Sequence, residues 1–107
     1  MPERREGRTL YRQLAAARPD AFTPNLAKSL MTCGVHLAEL GRYREALQAD
    51  REAVALYDRL NAAHPEAFRN DRMNALRNLG VLLRNLKLDD EAEQVEGKLT
   101  TWTNEVQ

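Results

Sequence analysis

Apolar residues recur along this chain at intervals of three and four. Leu26, Leu30, Cys33, Leu37 and Leu40 form the first such run, the spacing that lines up side chains on one face of an α-helix. Thr23 as N-cap and Pro24 at the first helical position predict where that helix starts. Gly41 supplies the left-handed residue that ends it. A second helix is predicted from Tyr43 to Ala63, stopped by Pro65, because the residue before a proline resists the α region. Its apolar arc is wide, taking in Ala46, Leu47, Ala49, Ala53, Val54, Leu56, Tyr57 and Leu60, as a helix packed on two sides requires. A third helix runs from an Asn70 cap to Leu86, and a fourth from Asp89 to Glu105. The fourth carries one narrow stripe, Leu88, Ala92, Val95, Leu99, Trp102 and Val106, as expected of a helix covered on one side.

The same pattern is spelled twice. Residues 11–22 read YRQLAAARPDAF and residues 57–68 read YDRLNAAHPEAF, a shift of 46 residues without a gap. Downstream, Leu30 falls on Leu76, Gly34-Val35 on Gly80-Val81, Leu37 on Leu83, Leu40 on Leu86, and Glu45-Ala46 on Glu91-Ala92. Phe22 and Phe68 read as plugs that pack each proline turn onto the core. Lys87 stands where the first unit has Gly41, so the second tight turn either closes differently or holds an L-residue in a strained conformation. Periods of this size belong to stacked helical arrays, in which one hairpin cannot bury its faces alone. Residues 1–18 align with 47–64 and read as the back half of a unit whose first helix is missing. The expected fold is therefore all-α: antiparallel helix-hairpin repeats of about five helices, as two repeats plus a preceding half-repeat. Within a single domain, 1–107, the half-repeat covers 1–18, the first repeat 23–63, and the second repeat with its capping helix 70–105.

Leu30, Gly34, Leu37, Leu40, Gly41 and Ala46, at these spacings in a pair of antiparallel helices, resemble the tetratricopeptide repeat. Gly34 and Gly80 fall on the motif's small first-helix position, and Ala46 and Ala92 on its small second-helix position. The long period resembles kinesin light chain-type repeats and tandem arrays of bacterial signalling proteins. Asp50 and Glu96 depart from the motif, standing where a bulky aromatic is customary. The resemblance covers residues 11–103 and implies a TPR-like α-solenoid.

Composition narrows the function more by exclusion than by assignment. Net charge is zero, so no general field draws the chain to nucleic acid or anionic lipid. The charge is polarised, with residues 1–18 carrying five Arg against Glu3 and Glu6, and residues 89–107 carrying six acids against Lys98. One cysteine, Cys33, lies on a core stripe and leaves no disulfide framework or cysteine-rich metal site. The amino-terminal MPERREGRTL has no apolar stretch of the kind a secretory leader needs, and a cytoplasmic location follows by default. No phosphate loop, zinc motif or nucleophile–base pair can be assembled from the sequence. His36 and His64 lie at no ligand spacing. A non-enzymatic role without cofactor or metal is expected.

What the resemblance implies is an interaction scaffold. In such arrays the first helix of each unit lines a concave groove that takes up peptides. Carried over by motif position, that face presents Lys28, Met31, Thr32, Val35 and Glu39 in the first unit. In the second it presents Asn74, Arg77, Asn78, Val81, Arg84 and Asn85, one stripe opposite Met73, Leu76, Leu79, Leu83 and Leu86. Asn side chains can satisfy both donor and acceptor of an extended backbone, and Arg77 with Arg84 points to an acidic or carboxylate-terminated peptide. A second reading is self-association, head to tail or through the open half-repeat. A third, from resemblance alone, is the sensor portion of a bacterial signalling ATPase.

Overall fold

The computed structural model describes the backbone of residues 10, 12–14, 16 and 18–106, and the side chains of these apart from residues 19, 20 and 101–106. The described part is all-helical, with no strand. Four helices follow one another in the described residues: α1 (Pro19–Glu39), α2 (Tyr43–Ala63), α3 (Pro65–Asn85) and α4 (Asp89–Val106). A further helical segment precedes them, its end marked by the Arg18 N–H donating to the Leu14 carbonyl at 2.8 Å. Most of the half-repeat read at 1–18 lies outside the described residues, as do the side chains of Tyr11, Trp102 and Val106.

Both first helices begin earlier than the sequence led us to expect. Pro19 and Pro65, not Pro24 and the residue after Asn70, occupy the first turn. One proline thus does two things at each junction. It drives the residue before it out of the α region, and it opens the next helix where a missing N–H is harmless. Arg18 and His64 accordingly adopt nearly the same backbone angles, φ −139°, ψ 78° and φ −139°, ψ 74°. Pro24 lies inside α1, where it has no N–H to offer the Asp20 carbonyl. Phe22 and Phe68 sit in the opening turns of α1 and α3, half-buried against the core.

The tight turns also repeat. In the first, Arg42 N–H donates to the Leu37 carbonyl and Gly41 N–H to that of Ala38, both at 2.9 Å. In the second, Leu88 N–H donates to Leu83 at 2.8 Å and Lys87 N–H to Arg84 at 3.0 Å. This paired closure needs a left-handed residue after the helix. Gly41 takes it at φ 77°, and Lys87 adopts it too, at φ 61°. The second turn does not close differently; it carries the strain.

Each helix packs on the next in sequence, and α1 also approaches α3. The core runs through all four: Leu26, Ala27 and Leu30 of α1, Ala46, Ala53 and Tyr57 of α2, Leu76, Leu79 and Leu83 of α3, and Ala92 and Val95 of α4. The wide arc of α2 is buried between α1 and α3, whereas α4 buries Ala92 and Val95 with Leu99 partly covered. Burial pushes the Tyr57 hydroxyl up to about 12, with the Asp71 charge adding to it. Arg51 of α2 pairs with Glu91 of α4 at 2.6 Å, and Arg12 pairs with Glu52, so second helices of successive units are also bridged.

Candidate functional site

The helical period places Gly34, Val35, Ala38 and Glu39 on one face of α1, and Asn78, Val81, Leu82 and Asn85 on the facing side of α3. Together with Tyr43 and Asp50 of α2 they line a groove of about 340 Å³. Its walls include two exposed apolar side chains, Val35 (41% exposed) and Val81 (58%), with Tyr43 at 39%. Glu39 and Asp50 line it too, and no Lys, Arg or His does.

Asp50 is the unusual member. It is 1% exposed, the one charged residue among the buried ones described. Its Oδ1 has no hydrogen-bond partner, in an interior where buried polar atoms are nearly always paired. Burial raises the carboxyl to about 7, so it is far less willing to ionise than an ordinary aspartate. Space for the carboxylate exists because α1 has no side chain at 34: a Cβ there would overlap Oδ1 of Asp50 and lie 2.9 Å from its Cγ.

Of the residues expected to bind a partner, Glu39, Asn78 and Asn85 line the groove, with Val35 and Val81 beside them. Lys28 and Thr32 are exposed on α1 outside its walls, and Met31 is half-buried against the core. Arg77 donates to Asn74 Oδ1 at 3.3 Å on the surface of α3. Arg84 does not join Arg77 in a shared carboxylate site. Its Nη2 and Nε grip the two Glu96 oxygens at 2.6 and 3.1 Å, and Nη1 reaches Asp89 at 3.2 Å. Two carboxylates on α4, one held in two-pronged fashion, fix the guanidinium. The hydrogen bond to Glu96 leads the rise in the Arg84 pKa, and the same bond lowers that of Glu96.

Sequence reasoning passed over Asp50, Ala38 and Tyr43 as site residues. A signal was present: Asp50 sits on the buried arc of α2 amid Ala46, Ala49, Ala53 and Tyr57, where an apolar residue is the rule. Another depression, of about 290 Å³, lies at the α2–α3 junction between Thr23, Pro24, Arg59, Leu60, Ala63, His64 and Phe68, with no carboxylate in its lining. Among the described residues no group of three or more His, Cys, Asp or Glu could hold a metal ion, and no helix is long and apolar enough to cross a membrane. No family model, no curated protein and no solved structure matches this chain.

Proposed function

We propose that this chain is a non-enzymatic interaction module, a short tetratricopeptide-like solenoid that takes up an extended peptide segment of a partner in the groove between α1 and α3. The observation that carries the reading is the composition of that groove. Val35 and Val81 are exposed on facing helices, with Asn78 and Asn85 spaced two turns apart on one of them. Exposed apolar side chains flanked by amide groups suit a peptide, because the amides answer backbone N–H and C=O while the valines cover alternate side chains. The repetition of both junction types, down to the backbone angles, supports the solenoid. The charge of the lining favours a cationic partner over the acidic one that Arg77 and Arg84 pointed to, since Arg84 is engaged by α4.

Selection of a displayed peptide library on the purified chain, with binders mapped by amide chemical shifts, tests this. Binders should shift Val35, Asn78 and Val81, and Val81→Asp should remove binding without loss of helicity. Peptides that bind the variant as well as the parent would sink the reading.

A further inference from the structure

The two units can be superposed by their own sequence, and the comparison exposes an absence. In the second unit, Glu96 and Asp89 of α4 close on Arg84 of α3. Forty-six residues earlier in the chain, the same three positions are Asp50, Tyr43 and Ala38. The carboxylate is retained, the second oxygen-bearing partner is now a phenol, and the arginine is an alanine. All three line the groove. The first unit therefore holds, in a buried position, the acceptor half of an ion pair that the second unit completes at its exposed surface, and holds it without the cation. Oδ1 of Asp50 is unpartnered, and a carboxylate at 1% exposure with no counter-charge is costly to keep.

We infer that Asp50 anchors the arginine side chain of a peptide bound in the groove, the guanidinium taking the place that Arg84 occupies in the second unit. This rests on the reading of the groove as a peptide site and gives that peptide a defining residue. Ala38 clears the path, since a methyl group stands where an internal arginine would otherwise fill the space. The lack of a side chain at Gly34 leaves room for the carboxylate beside α1. The charge-assisted bond forms in a place shielded from water, where it is stronger than at the surface. No basic side chain among the groove residues competes, and Glu39 and Tyr43 are the other titratable groups in the lining.

Two experiments test the inference. In the first, Ac-Gly-Gly-Arg-Gly-Gly-amide and its citrulline counterpart are titrated into the labelled protein by NMR. The arginine peptide should give saturable shifts at Gly34, Ala38 and Asp50, with affinity about tenfold or more above that of the uncharged analogue. The preference should vanish in Asp50→Asn. Equal affinities overturn the inference, as does an absence of binding by the arginine peptide. If selected peptides without arginine still occupy the groove, the peptide-site reading survives that failure; if none of any composition binds, it falls as well.

The second experiment needs no ligand. Ala38→Arg places the second unit's cation in the first unit. It should raise the melting temperature by about 5 °C in the parent background, and not in Asp50→Asn. A loss of stability in both backgrounds, or an equal gain in both, overturns the inference.

Discussion

Gly34 of α1 and Asp50 of α2 approach so closely that a Cβ on the first would overlap the carboxylate of the second. Position 80, its counterpart in the second unit, is open by comparison. There an added Cβ would meet only Val95 Cγ1, at the ordinary contact distance of 3.6 Å. The two glycines share a place in the repeat but serve different neighbours.

Gly80→Ala should therefore stabilise the protein by roughly 0.5–1 kcal/mol, the gain from replacing glycine inside a helix. Gly34→Ala has the same intrinsic gain but must push the Asp50 carboxylate aside, and should lose about 1–3 kcal/mol net. The double variant Gly34→Ala, Asp50→Ala should recover most of that loss, a coupling expected of side chains in contact. Urea unfolding of the four proteins measures it; additive effects would show that the overlap is relieved elsewhere.

The raised pKa of Asp50 sets a pH dependence. Its folded-state value of about 7 lies above the ordinary 3.8, so the native chain holds a proton that the unfolded chain has lost. Its contribution is present in full below about pH 4, declines as pH rises toward 7, and is flat beyond. Asp50→Asn should remove that slope and be more stable than the parent at pH 8 by roughly 2–4 kcal/mol. Melting temperatures from pH 4 to 8 decide the matter. A parent that grows more stable across that window, with the same trend in Asp50→Asn, would assign the dependence to other groups.

Lys87 takes a left-handed conformation that costs an L-residue about 1 kcal/mol or more. Lys87→Gly should raise stability by about 0.5–1 kcal/mol, after the greater flexibility of glycine in the unfolded chain is deducted. Gly41→Ala, at φ 77° with nothing within 4 Å of its added Cβ, should lower stability by about 1 kcal/mol from backbone strain alone. Opposite signs in denaturant unfolding are the expected result, and matching signs would contradict it.

Leu83 and Val81 are near neighbours on α3 with opposite fates. Leu83 is 0% exposed, and Leu83→Ala should cost about 2–5 kcal/mol. Val81 is 58% exposed, and Val81→Ala should change stability by less than about 0.5 kcal/mol. A large loss at Val81 would mean that its side chain serves folding rather than a partner.

The sequence by itself determined the helices, their order and the repeat. Local signals carry these: apolar spacing, prolines that bar the α region behind them, and a 46-residue shift visible without coordinates. It misplaced the starts of α1 and α3, because Thr23-Pro24 and Asn70 look like caps while Pro19 and Pro65 were read only as stops. Both roles are compatible with local chemistry, and the packing of Phe22 and Phe68 against the core accompanies the earlier start. Of the groove lining, Asn78, Val81 and Asn85 were legible as one stripe of α3, whereas Val35 and Glu39 came only from the motif position that the resemblance supplies. The engagement of Arg84 was not, because the face of a helix does not say which neighbour a long side chain will reach. Nor was the isolation of Asp50. Whether a carboxylate is solvated, paired or buried alone depends on what the neighbouring helices α1 and α3 bring to it, and only the tertiary structure sets Gly34 against it and Ala38 where a cation could have been.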